Sequence, residues 1–355
     1  MIMKVFENRL YRDDIACAAG LNLPWGKLQD SSVLISGASG LIGSALVDVL
    51  MYRNDNYDMH CKIYALGRDR KKAEDRFSYC WNSTYFEFAS GDVNQLPVIN
   101  NMGMMDYVIH LASNTHPVAY STDPIGTITT NIIGTGNLLE FAANHDSRRA
   151  VFASSNEIYG ENRGDKETFD EKYCGYIDCN TMRAGYPESK RCGEALCQAY
   201  IAQKKLDVVI VRFTRSYGPT MQMDDTKAIS QFIKKGIAGE DIVLKSAGDQ
   251  YYSYTYVMDA VAGLLTVWLC GKCGEAYNIA DAASDIRLKD LAKVIAETSG
   301  QNVVFELPDT VESAGYSKAT KARLNSGKLR ALGWKARYDI RSGIVRTLEI
   351  LKDLK

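Results

Sequence analysis

What most constrains this chain is a succession of apolar segments whose lengths alternate between strand and helix, with a glycine-rich turn at the first strand-to-helix junction. Val33-Leu34-Ile35 is a short apolar strand candidate, and Leu41 to Tyr52 reads as a helix directly after the turn. The pattern repeats as strand Lys62–Leu66, helix Lys71–Tyr79, strand Tyr107–Leu111, helix Thr127–Asn144, strand Ala150–Ala153, helix Arg183–Lys204 and strand Val208–Val211. Strands separated by whole helices pair in parallel, because a parallel connection needs a crossover. Residues 32–213 therefore predict an α/β, doubly wound parallel sheet covered on both faces. From about residue 214 the order loosens. Short strands Ile242–Leu244, Ala276–Ile279 and Val303–Phe305 are separated by helices. They predict a smaller C-terminal α+β lobe over 214–355, some of whose segments return to the sheet. That lobe should close over the C-terminal edge of the strands, where open α/β sheets bind ligands. Residues 1–31 precede the first clear strand. Leu10–Ala19 reads as a short helix broken by Pro24-Trp25-Gly26, and the expectation is an appendage packed on the surface.

The chain has 355 residues, 46% of them hydrophobic, enough for one large core. A formal net charge of -1 gives no electrostatic reason to expect a nucleic-acid or membrane partner. The opening run MIMKVFENRLYRDD scatters charges through what a secretory leader would keep apolar. Nine cysteines at irregular spacing read as the reduced thiols of a cytoplasm. Cys270-Gly-Lys-Cys273 is a lone CxxC with no second pair or nearby histidines, and no metal is expected there.

The turn at the first junction is Ser36-Gly37-Ala38-Ser39-Gly40-Leu41-Ile42-Gly43. Glycines permit a tight turn and let the backbone approach a pyrophosphate, while the helix N-terminus offers unpaired N–H groups. Placed between strand and helix, this GxxGxxG spacing predicts a dinucleotide site and makes the sheet Rossmann-type. The acid that many NAD enzymes carry after the second strand is displaced in Ala65-Leu66-Gly67-Arg68-Asp69. Arg68 could face a 2′-phosphate, or stand as a solvated loop arginine, so NAD and NADP both stay open. Asp92, followed by Val93, is an adenine-side contact or a loop cap.

Tyr186-Pro187-Glu188-Ser189-Lys190 places a tyrosine and a lysine four apart, on one helical face. An ammonium beside a phenol favours the phenolate, which predicts a lowered Tyr186 pKa and a proton acceptor for a substrate hydroxyl. Upstream, Phe152-Ala153-Ser154-Ser155-Asn156-Glu157 ends a buried strand at the crevice. Ser155 can bond the same hydroxyl. Glu157 can act as acid or base in a second step, the alternative being a surface-paired loop glutamate. His116 either lines the pocket or is a loop histidine. Tyr251, Tyr252, Tyr254 and Tyr256 alternate as a strand would, and Met102, Met104 and Met105 read as packing residues.

Together Gly37, Gly40, Gly43, Ser155, Tyr186 and Lys190 resemble the extended short-chain dehydrogenase/reductases that act on nucleotide sugars, and most closely the UDP-glucuronate decarboxylases. His110 to Ser113, Asp123 to Asn131, Gly134-Thr135, Ser155 to Gly160, Tyr186 to Glu194 and Tyr217 to Asp225 carry the likeness in the family's order. The resemblance implies a bound NAD that is reduced and reoxidised in one turnover through a 4-keto sugar, a nucleotide-sugar substrate, and a homodimer formed through the two long helices. It implies cofactor contacts from Leu111, Ala112, Ser113, Asn131, Ser154 and Phe213 besides the glycine loop, and substrate contacts from Thr115, His116 and Asn156. Dehydratases of the family place an aspartate where Asn156 stands, so ordinary dehydration is disfavoured. The family also usually has asparagine at the position of Arg215 and arginine at that of Tyr252. Its late arginine has only Lys321 and Arg323 as counterparts. The anion site is therefore expected to be rearranged. The alternatives are a 4,6-dehydratase or 4-epimerase, a simple NAD(P)-dependent dehydrogenase, and a dinucleotide sensor, which would not need Ser155, Tyr186 and Lys190.

Overall fold

The computed structural model describes residues 5–95, 103–115, 117–306 and 320–354. Its first half runs α1 (Arg9–Ala19), β1 (Ser32–Ser36), α2 (Leu41–Tyr57), β2 (Lys62–Gly67), α3 (Arg70–Arg76) and β3 (Phe86–Ser90). It continues through β4 (Tyr107–His110), α4 (Pro117–Thr122), α5 (Pro124–Asn144), β5 (Arg149–Ser155), α6 (Gly185–Lys204) and β6 (Val208–Phe213). The second half comprises β7 (Arg215–Tyr217), α7 (Ala228–Ala238), β8 (Ile242–Leu244), β9 (Tyr251–Tyr256), α8 (Val257–Cys270) and β10 (Ala276–Ile279). After these come β11 (Asp285–Arg287), α9 (Leu288–Ser299), β12 (Val303–Phe305), β13 (Lys321–Ala322) and a C-terminal helix, Ile340–Asp353.

Seven strands form one sheet in the order β3-β2-β1-β4-β5-β6-β10, every neighbouring pair parallel. The strands are largely apolar on both faces because helices cover both faces: Val33, Leu34 and Ile35 are fully buried, as are Val208 to Val211 of β6 to within about 1%. The chain runs outward from β1 to β3, then returns to place β4 on the other side of β1. Ser36 and His110 end these two strands side by side. That reversal opens a crevice at their C-terminal ends, the ligand position of doubly wound sheets. β10 belongs to this sheet although it lies late in the chain. The α8 helix is buried along nearly its whole length, which is why it is apolar all round rather than amphipathic.

Around β9 a second sheet collects β7 and β13 as parallel partners and β11 as an antiparallel one. A parallel pair, β8 and β12, lies beside it. The strand β3 has no place in the sequence expectation. Phe86-Glu87-Phe88-Ala89-Ser90 is short and mixed, and only its pairing with β2 makes it a strand. Residues 9–28 pack through one face of α1: Tyr11, Ile15, Ala19 and Leu28 are fully buried while Arg9, Arg12 and Asp13 are exposed. Asp14 accepts from Tyr256 Oη at 2.7 Å and from Arg346 Nη2 at 2.8 Å, so α1 ties the second sheet to the C-terminal helix. No helix among the described residues is long and apolar enough to cross a membrane.

Candidate active site

The glycine loop lies at the mouth of the crevice. Gly37 adopts a φ of 68°, and a Cβ there would sit 2.7 Å from the Ala112 amide nitrogen. A Cβ on Gly43 would meet the Gly37 carbonyl oxygen at 2.3 Å. Both positions therefore demand glycine, one for conformation and contact, the other for contact. Gly40 caps α2 without a side-chain hydrogen bond, leaving the first turn at Leu41, Ile42 and Gly43 to offer its amides. The segment after β7 closes over this loop: Thr220 Oγ1 donates to Leu41 O at 2.8 Å and Gln222 Nε2 to Ser39 O at 3.3 Å. Arg68 is exposed at the end of β2, and Asp69 beside it caps α3. Asp92 accepts from the Asn94 amide at 2.9 Å, a loop-capping bond, and Val93 is buried against Gly134.

Beyond β4, Leu111 N donates to Ser36 O and Ala112 N to Ser36 Oγ, fixing the course of the strand end. Ser113 Oγ donates to Asn131 Oδ1 at 2.7 Å, Asn131 Nδ2 to Ser189 Oγ at 2.9 Å, and Ser189 Oγ to Tyr186 O at 2.8 Å. This chain of bonds couples β4 to the start of α6 through α5. Ser154, Ser155, Asn156 and Phe213 are buried where β5 and β6 end together, Ser155 opposite Phe213 in register.

Tyr186 is buried, and its phenol sits well above its ordinary pKa because of burial and then the Glu157 charge. Hydrogen bonds from Ser155 and Ser113, together with the Arg183 charge, oppose this. The expected lowering by Lys190 is not found. Lys190 is itself buried, donates to Ala153 O at 2.8 Å, and has its pKa brought down to about 7 by desolvation. His110 lies below, bonded to Ser36 Oγ at 2.7 Å, and burial followed by the Lys190 charge lowers its pKa to about 3. It is thus a neutral imidazole.

Glu157 is the second residue of the short 3-10 turn Asn156–Tyr159, and Ser155 Oγ accepts from its amide at 3.2 Å. Its carboxylate is not simply a surface pair: Arg183 Nη2 donates to Oε2 at 2.8 Å, with both side chains about a quarter exposed (27% and 22%). On the lobe side, the Arg215 guanidinium lies 3.5 Å from the centre of the Tyr252 ring, and its Nη1 is buried without a hydrogen bond. Lys321 and Arg323 do not join it. Neighbouring residues of a strand point to opposite faces, and Arg323 stacks on Tyr251 while Arg215 stacks on Tyr252. Lys321 is exposed. Thr115 is exposed and accepts from Lys227 Nζ at 3.3 Å. His116 lies outside the described residues.

Residues 33–280 match the model of the NAD dependent epimerase/dehydratase family. The chain belongs to that family. Within the epimerase/dehydratase proteins it is 30% identical over 328 residues to UDP-glucuronic acid decarboxylase 4 of Arabidopsis thaliana, covering 92% of this chain and 70% of that one. It is 28% identical over 320 residues to UDP-glucuronic acid decarboxylase 1 of Xenopus tropicalis, over 90% of this chain and 72% of the other. Its fold is that of a dTDP-glucose 4,6-dehydratase from Streptomyces venezuelae solved with NAD, with a TM-score of 0.77 and 22% identity over 91% of this chain and 97% of that one.

Two neighbours of Tyr186 and its loop escaped the sequence reading. Arg183 holds Glu157, and Tyr120 stacks on Tyr186 with ring centroids 4.9 Å apart. Nothing in spacing marks Tyr120. Arg183 carried one usable signal, its position three residues before Tyr186 at a helix start, and that signal has no direction until β5 is placed opposite.

Proposed function

We propose that this protein decarboxylates a nucleotide-linked uronic acid, UDP-glucuronate or a near relative, through a 4-keto sugar with its NAD recycled inside each turnover. The observation that carries the reading is Glu157, held by Arg183 at 2.8 Å on the turn next to Ser155 and within the field of Tyr186. The likeness to two UDP-glucuronic acid decarboxylases supports it. The glycine loop fits the dinucleotide: an uncapped helix start and a cradle that a Cβ would fill are what a pyrophosphate requires. Residues 37–43, Asp92-Val93, Leu111 to Ser113 and Ser154 would hold it. Bound there, NAD would supply the hydride acceptor for oxidation at the sugar C4 and the hydride donor for the later reduction.

The protein's own groups then divide the work. Tyr186, with Ser155 bonding the same oxygen, would take the C4 hydroxyl proton during oxidation and give it back during reduction, the cationic nicotinamide of bound NAD offsetting the burial that otherwise keeps the phenol protonated. Lys190, buried one helical turn along from Tyr186 and with its pKa brought down to about 7, can stand in either charge state at working pH. Once C4 is a ketone, the C5–carboxylate bond breaks as carbon dioxide leaves and its electrons delocalise into the carbonyl. Glu157 would govern the proton that C5 then needs. Arg215 on Tyr252, with a buried nitrogen unbonded, supplies a cation for the substrate's anionic part. Asn156 in place of an acid gives water loss from C6 no proton donor. We also assign the homodimer contact to α5 and α6, with Ile125 and Ile133 standing exposed on α5.

The test is product mass after incubation with UDP-glucuronate and no added cofactor. Loss of carbon dioxide is the expected result, and Glu157→Gln should slow it ~100-fold or more. A product of unchanged mass would indicate an epimerase. Reaction only with stoichiometric NAD would replace this reading with a simple dehydrogenase.

A further inference from the structure

Arg183 stands on the 3-10 turn Met182–Ala184, immediately before α6. It is fixed in two directions. Its Nη2 donates to Glu157 Oε2 at 2.8 Å, and its guanidinium carbon lies 4.8 Å from the centre of the Tyr120 ring. The other face of the contact is the catalytic candidate itself: Tyr120 stacks on Tyr186 at 4.9 Å with an interplanar angle of 28°, and both rings are buried. A guanidinium that both stacks and donates loses little further freedom on ordering, so it can hold a carboxylate at a set place. We infer that Arg183 is a positioning residue, which through Glu157 and Tyr120 fixes where the Glu157 carboxylate stands and what charge the Tyr186 phenol meets.

The inference rests on Tyr186 as the proton-transfer group. The groups facing that phenol are Glu157 after β5, Arg183 before α6, the hydroxyls of Ser155 and Ser113, and the Tyr120 ring, with Lys190 one turn along the same helix. Two of them carry opposed charges: Glu157 raises the phenol's pKa and Arg183 lowers it. Removing either member of the pair must therefore move the phenol in opposite directions. A residue that merely stabilised the loop would show no such opposition.

Tyrosinate absorbance titration, with each variant read against its Tyr186→Phe counterpart, isolates this phenol without any substrate. Arg183→Gln is expected to raise its pKa and Glu157→Gln to lower it, with the double variant between the two. On UDP-glucuronate, Arg183→Gln should lower kcat ~100-fold with KM little changed. Equal or same-signed movement of the phenol in both single variants would overturn the inference. If Arg183→Gln does not fold, Arg183→Lys decides. It keeps the charge but loses the planar fork, so kcat should fall while the phenol titrates as in wild type. A Lys variant with wild-type kcat overturns the positioning role. Absence of any turnover by the wild-type enzyme would refute the decarboxylase reading and leave the titration to judge Arg183 alone.

Discussion

Lys190 is 2% exposed, and its hydrogen bond among the described residues is to a carbonyl, Ala153 O, rather than to an acid. Burial depresses its pKa to about 7, from an ordinary value near 10.5. Above pH 7 the folded protein has lost this proton while the unfolded chain still binds it, so stability contributed by the shift grows as pH rises from about 7 to about 10.5. Below pH 7 both states are protonated and the burial penalty is carried in full. Urea unfolding across that range should show wild type gaining on Lys190→Met with rising pH, by on the order of a few kcal/mol. Parallel curves would mean that the amine is not desolvated as the structure has it. At this scale the motif was legible, since Tyr186 and Lys190 announce themselves by a four-residue spacing on one helix face. Their electrostatics were not. The phenol's neighbours Glu157, Arg183 and Tyr120 come from three separate segments, and only packing decides that burial and Glu157 outweigh the lysine.

At the level of elements, the first strand, turn and helix work as one unit because their backbone leaves no room for side chains. Gly37→Ala would place a methyl against the Ala112 amide in a backbone conformation unfavourable to L-residues, and Gly43→Ala would drive one into the Gly37 carbonyl. Either change should cost about 1–3 kcal/mol, in backbone strain and contact at Gly37 and in overpacking at Gly43. It should also weaken NAD binding at least ~10-fold by calorimetry, since a displaced loop no longer aims its amides. Binding unaffected in a folded Gly43→Ala protein would place the pyrophosphate elsewhere. This unit could be read from the sequence directly: glycine spacing and the flanking apolar runs are local facts. The small sheet could not. Tyr251 to Tyr256 announced a strand by alternation, yet which face met Arg215 depended on β7 and β13 arriving in register at Tyr254 and Tyr252. That register puts Arg215 on Tyr252 and turns Arg323 to the opposite face, against the expectation that they share an anion site.

Over the whole molecule, the N-terminal helix joins distant parts of the chain. Asp14, fully buried at its side chain, binds Arg346 of the C-terminal helix and the phenols of Tyr256 and Tyr338. Nearby, Tyr11, Tyr79 and Arg76 converge on Asp48. Removing one member of such a buried pair leaves an uncompensated charge, so Asp14→Ala should lower stability by about 3–5 kcal/mol. Denaturant unfolding would check this, and a loss under about 1 kcal/mol would show α1 to be peripheral after all. The sequence by itself determined the parallel sheet, the glycine loop and the Tyr186–Lys190 pair, because each rests on periodicity or spacing within one segment. Tertiary structure alone decided that one face of α1 is buried, that β10 completes the main sheet, and that Arg183 and Tyr120 surround the Tyr186 phenol. Those outcomes depend on contacts between residues far apart in the chain, whose energies exist only once the elements are packed.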